Sequence, residues 1–387
     1  MKAIKENFLL KLEHFGQSIW MDFIRRGTIV SGELKQLIEE DGLGGVTSNP
    51  SIFEKAIAES HDYDEAIRAL ALEGKSVDQI YAALTVEDIQ RTADLFRPVY
   101  DRLDGADGFV SLEVSPYLAH DTAATIADAR RLWAAVARPN AMIKVPGTIE
   151  GLPAIQQLIG EGINVNITLL FGLPRYRHVA EAYLAGLETL AAQGKPLRSV
   201  ASVASFFLSR IDVLLDPALE KLIATDKSKA DLAGQFRGQV AILSAKAAYE
   251  IYKEIFASER FGKLRAQGAR TQRLLWASTS TKNPAYNDLK YVEALIGPET
   301  VDTVPLETLA AYRDHGDPAL RLADGAANAS RTLRRLSEVG IDLDATTQQL
   351  EDEGVRKFAE AFDVLMKTLK EKQAQTLSKP GKQGVGR

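Results

Sequence analysis

The sequence predicts an α/β protein built on a (β/α)8 TIM barrel with additional helices. Three observations lead there. Eight strand-like segments alternate with helical stretches along nearly the whole chain. Each strand is only a few residues long, as inner barrel strands are. A polar or charged side chain stands at the C-terminal end of one strand after another, the end at which barrels carry their sites. No Gly-x-Gly-x-x-Gly follows the first strand, so a dinucleotide-binding fold has no local support.

Residues 1–15 read as an amphipathic helix, with Ile4, Phe8, Leu9 and Leu12 on one side. The first strand, 18–22, ends in Asp22. A helix over 31–41 follows, with Ser31 as its N-cap. The second strand, 44–46, runs into Thr47-Ser48-Asn49-Pro50. Residues 51–102 have helical periodicity, broken near Gly74-Lys75-Ser76. The third strand, 108–114, alternates Phe109, Leu112 and Val114 with Ser111 and Glu113. A helix over 122–137, capped by Thr122, leads to the fourth strand, 141–145.

After a helix at 151–160 the fifth strand, 163–169, sets Ile163, Val165, Ile167 and Leu169 against Asn164, Asn166 and Thr168. A helix at 174–192 precedes the sixth strand, 199–206. Helical patterns fill 212–262. The seventh strand, 273–278, ends in Ser278. A helix at 286–296 leads to the eighth strand, 300–304. Helices at 306–316, 318–339 and 348–372 close the chain. The barrel domain is expected over 1–375, and the polar residues 376–387 as a disordered tail.

Composition narrows the chemistry. The chain has 387 residues, 45% hydrophobic and 26% charged, enough for a large core. A net charge of -5 points away from nucleic acid and anionic membrane. No apolar run reaches the length of a membrane span, and residues 1–12 lack the apolar core of a signal peptide. Without cysteine there are no disulfides, thiolate metal sites or Cys nucleophiles, which suits the reducing cytoplasm. His14, His61, His120, His178 and His315 are scattered and form no His-x-x-x-His pair, so no metal centre is expected. Trp20, Trp133 and Trp276 read as core.

The fourth strand carries the sharpest signal. Met142, Ile143 and Val145 suit a buried strand, and Lys144 interrupts them with a charge before Pro146 and Gly147 end it. Burying an unpaired ammonium costs several kcal/mol unless the group gives up its proton. A neutral amine can attack a carbonyl and form a Schiff base. A strand-end lysine that snorkels to water is the plainer reading of these residues alone. Asp22, Asn49, Glu113, Thr168, Ser205 and Ser278 end other strands, and a barrel brings them to one face with Lys144.

Schiff-base aldol cleavage has a task for each type. Lys144 is the nucleophile. Asp22 and Glu113 are candidates for two duties: accepting the hydroxyl proton as the carbon–carbon bond breaks, and moving protons through water as carbinolamine becomes imine. Asp22 could instead pair with Arg25 or Arg26, and Glu113 could be only a counter-ion to Lys144. Asn49 and Thr168 could simply fill hydrogen bonds at the barrel mouth. Arg210, just past the sixth strand, and Ser278-Thr279-Ser280-Thr281-Lys282 offer a phosphate site where barrels often hold one. A salt bridge for Arg210 and a solvated Lys282 are the alternatives. Phe207, beside Ser205, could face the site or be packing.

These residues resemble the transaldolase family. The matching stretches are Gly16-Gln17-Ser18-Ile19-Trp20-Met21-Asp22, Gly45-Val46-Thr47-Ser48-Asn49-Pro50-Ser51-Ile52-Phe53 and Ile143-Lys144-Val145-Pro146-Gly147-Thr148. Glu161-Gly162-Ile163-Asn164-Val165-Asn166-Ile167-Thr168-Leu169-Leu170-Phe171, Ala204-Ser205-Phe206-Phe207 and Leu275-Trp276-Ala277-Ser278-Thr279-Ser280-Thr281-Lys282-Asn283-Pro284 complete them. The length resembles the longer bacterial form. The resemblance implies a class I aldolase-type barrel with the Schiff-base lysine at Lys144 and the cleavage acid/base at Asp22. It implies that Glu113 and Thr168 hold a catalytic water, that Asn49 and Ser205 bind the dihydroxyacetone moiety, and that Arg210 binds phosphate. Shorter relatives carry a second arginine soon after the seventh-strand serine; here Lys282 is the nearest cation to that place. In related sugar-phosphate aldolases the place of Phe207 resembles a tyrosine.

The implied activity is cofactor-free transfer of a dihydroxyacetone unit between sugar phosphates in the pentose phosphate pathway. The rivals are an aldolase that releases free dihydroxyacetone and a non-catalytic sugar-phosphate-binding barrel.

Overall fold

The computed structural model describes residues 7–378. The start of the expected N-terminal helix and most of the expected tail lie outside the described residues. Eight parallel strands close a barrel in sequence order, β1 Gln17–Met21, β2 Gly45–Val46, β3 Phe109–Glu113, β4 Ala141–Pro146, β5 Val165–Leu170, β6 Ser202–Phe207, β7 Arg273–Ala277 and β8 Thr300–Val304. β8 pairs with β1, which completes the ring. All eight expected strands exist; the eighth keeps its expected bounds and the others move by one to three residues. The move matters at β6, which runs one residue further than expected. Phe207 is thereby a strand residue, on the same face as Ser205 by the two-residue period of a strand.

The alternation in β5 is inverted relative to a half-exposed strand. Asn166 turns into the barrel, where its side chain bonds Ser111 of β3 at 3.0 Å and Ser205 of β6 at 2.7 Å. Val165 and Ile167 are the outward set, buried under helices. A barrel strand is covered on both sides, so alternation here separates polar interior from apolar exterior rather than core from water.

β2 is only two residues long, and Trp20 explains its glycine. A Cβ on Gly45 would come 2.6 Å from the Trp20 indole and 2.7 Å from the Phe109 carbonyl oxygen. Trp20 and Trp276 are fully buried, as expected of core, and Trp133 is partly buried against the same core.

The helices depart from expectation at their caps. Ser31 ends a short helix, Arg26–Ser31, and left-handed Gly32 starts the next, Glu33–Asp41. Asp121, not Thr122, caps Thr122–Val136, accepting from the Ala124 N–H, while Thr122 donates to the Glu150 carbonyl. The break near residue 75 is present and ends in a Ser76/Gln79 capping box. The expected helix 286–296 shrinks to Lys290–Ala294, because Asn283 and Asn287 hold turns with their side chains on Ala285 and Leu289 N–H groups. The expected helix 318–339 begins only at Ala326, after left-handed Gly325. The last helix, Leu343–Ser378, is longer than expected and enters the first residues of the expected tail.

That last helix crosses the C-terminal end of the barrel. Gly354 brings it against the β5 end, where a Cβ would sit 2.8 Å from Leu169. Arg175 and Glu351 pair at 2.9 Å on one side, and Lys372 and Asp64 at 2.6 Å on the other. Tyr117 donates to Asp363 between them.

One buried group in β8 is dissonant. Asp302 is wholly buried, both carboxylate oxygens lack a hydrogen-bond partner, and burial pushes it up to about 8. A carboxyl raised in the folded state contributes its full stability below its ordinary value near 3.8 and loses it as pH rises through about 8. Asp302→Asn should therefore melt higher than the parent, with a gap that widens from pH 5 to pH 8. Thermal melts across that range check it; a gap independent of pH would mean Asp302 has found a partner for its charge.

Candidate active site

The C-terminal ends of the strands surround a cavity of about 350 Å3. Asp22, Asn49, Lys144, Ser205, Phe207, Arg210, Ser278 and Lys282 all line it. Glu113, paired with Lys144, and Thr168, two residues beyond the Asn166 that lies level with Lys144, are buried. Strand order alone does this: parallel strands put every C-terminal end on one face, and register sets the height. Glu113 lies level with Lys144, and Lys144 level with Asn166.

Lys144 does not snorkel. It is 3% exposed, and its Nζ lies 3.3 Å from Glu113 Oε2 and donates to the Ser48 carbonyl at 3.1 Å. The Phe358 ring of the last helix stands 5.8 Å away, its face toward the amine. Burial holds the Glu113 carboxyl up at about 7, against the pull of Lys144. Beyond the ion pair with Lys144, neither Glu113 oxygen has a hydrogen-bond partner among the described residues, and neither does the buried Thr168 hydroxyl. These are three buried polar atoms with hydrogen-bonding capacity to spare.

Asp22 pairs with neither nearby arginine. Arg25 holds Asp62 at 3.3 Å, and Arg26 holds Glu87 at 2.7 Å and Asp88 at 2.8 Å. Asp22 instead accepts from Thr47 at 2.7 Å. Thr47 has a single hydroxyl proton, so Thr303, 2.8 Å from it, must be the donor in that contact. Burial raises the Asp22 carboxyl above its ordinary range, and Lys144, Thr47 and Arg210 oppose the rise.

Asn49 serves two ends. Its Oδ1 caps the helix Pro50–Ala58 on the Ile52 N–H, which leaves its amide NH2 for the cavity. Ser205 is fixed by Asn166. Arg210, the second residue of the helix Ser209–Thr225, has no ion pair among the described residues; it stacks on Phe207 at 5.4 Å, and burial disfavours its charge. Phe207 also packs on Phe171. Ser278 sits at φ 55, and its hydroxyl meets that of Ser209 at 2.9 Å, tying the β7 loop to the Arg210 helix. Lys282 reaches the cavity from an exposed position and donates to Ser280 at 2.6 Å.

Several residues that line or support the cavity are not singled out by the sequence. Thr47, which holds Asp22, stood in plain view before Ser48-Asn49-Pro50. Asn166 does not line the cavity but fixes Ser205, and in the sequence it is only part of a strand pattern. Lys55, Glu307 and Phe358 also line the cavity, and nothing in their local sequence marks them.

The family model described as Transaldolase/Fructose-6-phosphate aldolase matches residues 19–369. The chain belongs to this family. Among its relatives, "Transaldolase 2" of Nostoc sp. is 47% identical over 371 residues, 95% of this chain and 97% of that protein. "Transaldolase" of Trichodesmium erythraeum is 48% identical over 370 residues, and "Transaldolase" of Mycolicibacterium smegmatis 45% over 359. The model matched covers both transferases and lyases of the transaldolase family, whereas these relatives all carry the transferase name. The chain is thus an enzyme of the transferase class. No helix among the described residues is long and apolar enough to cross a membrane.

Proposed function

We propose that this transaldolase carries a dihydroxyacetone unit on Lys144 from sedoheptulose 7-phosphate to glyceraldehyde 3-phosphate. The products are erythrose 4-phosphate and fructose 6-phosphate, in the pentose phosphate pathway of the cytoplasm. The observation that carries the residue assignment is the enclosed Lys144 amine, 3.3 Å from a carboxyl poised near 7 and open to a cavity that Asp22 also lines.

The amine attacks the donor ketone and gives a carbinolamine. Loss of water from it needs a proton delivered and another removed at nearly the same place. Glu113, close to neutrality, can do both through a water that its oxygens and the Thr168 hydroxyl are free to hold. Asp22 accepts the proton of the hydroxyl beside the bond that breaks; the aldehyde product leaves, and the three-carbon enamine stays on Lys144. The enamine then attacks the acceptor aldehyde, Asp22 returns the proton, and water frees the new ketose. Thr47 holds the Asp22 carboxyl in place through both halves. Asn49 and Ser205 hold the three-carbon unit, and Arg210 and Ser278 face the phosphate end.

A transferase must keep the enamine unprotonated until an acceptor arrives; a lyase protonates it and releases the ketone. Phe207 and Phe358 line the cavity with rings that have no proton to give and that exclude water. Phe207→Tyr should raise release of free dihydroxyacetone from fructose 6-phosphate alone and lower transfer to added erythrose 4-phosphate. Donor alone against donor plus acceptor is also the test of transferase against lyase in the parent. No extra free ketone from the variant would leave Phe207 as packing on Phe171.

A further inference from the structure

We propose that Lys55, on the helix after β2, supplies the second cation that grips the substrate phosphate, with Arg210 of the same cavity. This rests on the sugar-phosphate reading above and names a residue it did not use.

The helix Pro50–Ala58 presents Ser51, Ile52 and Lys55 to the cavity, positions that fall on one helical face. Lys55 is the exposed member of this set, while Ser51 and Ile52 are half-buried, so its ammonium meets the cavity from the solvent side. Among the described residues its ammonium has no hydrogen bond and no ion pair. Glu59, four residues on, is placed for an ordinary surface pair with Lys55, yet no such pair forms. Lys55 lines the cavity instead. Lys282, the cation nearest the place where shorter relatives have an arginine, differs: it is already bonded to Ser280.

Charge points the same way. Lys55, Lys144, Arg210 and Lys282 line the cavity against the carboxylates of Asp22 and Glu307. Glu307 forms no pair with Lys55 or Lys282. Once Lys144 is bonded to substrate and Asp22 is engaged with a hydroxyl, Lys55, Arg210 and Lys282 have no carboxylate partner among the described residues, and of the three only Lys282 already makes a hydrogen bond, to Ser280. A phosphate dianion is the group that the other two could both hold, Arg210 with its planar fork and Lys55 as a point charge.

The experiment compares Lys55→Met, Lys55→Arg and Lys282→Met with the parent enzyme. KM and kcat are measured for erythrose 4-phosphate and for unphosphorylated erythrose as acceptors, and inorganic phosphate is titrated as an inhibitor. Lys55→Met should raise KM for erythrose 4-phosphate about tenfold and weaken phosphate inhibition by a similar factor. It should alter kcat/KM for erythrose far less. Lys55→Arg should recover part of the loss, and Lys282→Met should shift the phosphate-dependent values less than Lys55→Met does. A larger loss in Lys282→Met, or equal losses with both acceptors, would overturn the assignment. Borohydride trapping with dihydroxyacetone, which has no phosphate, isolates the chemistry. Lys55→Met should trap like the parent; failure of that variant alone would make Lys55 a support for Lys144 and sink the proposal. Failure of the parent to trap would sink the Schiff-base reading instead, while phosphate binding followed by calorimetry would still report on Lys55.

Discussion

Lys144→Met is expected to abolish turnover, by at least about 10⁴-fold, while the protein stays folded. Methionine fills nearly the same volume and leaves no amine to attack a ketone. Removing one member of a buried pair often costs about 3–5 kcal/mol, because the other charge is stranded. Here the stranded group is Glu113, and Lys144 is what restrains its rise. Without the lysine, Glu113 goes further up and takes a proton, so the strain is relieved at neutral pH. Turnover with fructose 6-phosphate and erythrose 4-phosphate, borohydride labelling and a thermal melt check the three parts. A folded variant with ordinary turnover would end the Schiff-base mechanism. A borohydride adduct in the variant would show that some other lysine of the cavity carries the sugar.

Glu113→Gln should lower kcat by about 10²–10⁴-fold, the usual worth of a positioned acid/base. Glutamine keeps the shape and loses the proton transfer. The pH profile separates this from a mere change in packing. Glu113 sits at about 7, so it is increasingly ionised as pH rises through neutrality. The parent should gain activity through that range as the group becomes able to accept a proton. The residual activity of the Gln variant should lack that rise, although any contribution from other groups remains. A variant that keeps the full rise near pH 7 would move the water-handling role away from Glu113. Asp22 would be the next candidate, since its carboxyl is also raised and lines the same cavity.

Much of the site was legible because a barrel turns sequence position into spatial position. A short apolar run bounded by Gly, Pro or Asn marks a strand. Parallel closure then puts the C-terminal end of each on one face. Asp22, Glu113, Lys144, Thr168, Ser205 and Ser278 could be placed around one opening without knowing any distance. What could not be read was the partner of each. Asp22 had two arginines within four residues, and the structure gives both to Asp62, Glu87 and Asp88. Arg210 looked as ready for a salt bridge as for phosphate, and only the packed chain leaves it stacked on Phe207 without one. Caps failed for a related reason: at Ser31 and Thr122 several polar residues compete, and long-range contacts such as Thr122 with Glu150 decide among them.

The sequence by itself determined the eight strands, their order around the barrel and the set of side chains at the strand ends. Those follow from local propensity and from the right-handed, sequential connection of parallel strands, which leaves little choice of topology. Only the tertiary structure decided that Lys144 is enclosed rather than snorkelling, and that Lys55 and Phe358 belong to its cavity. Phe358 lies more than two hundred residues from Lys144 in the chain. It reaches Lys144 because the last helix packs across the barrel mouth, with Gly354 allowing close approach to Leu169. A helix's apolar face reveals that it packs, but its direction across a surface is set by the shape it meets. No local pattern carries that shape.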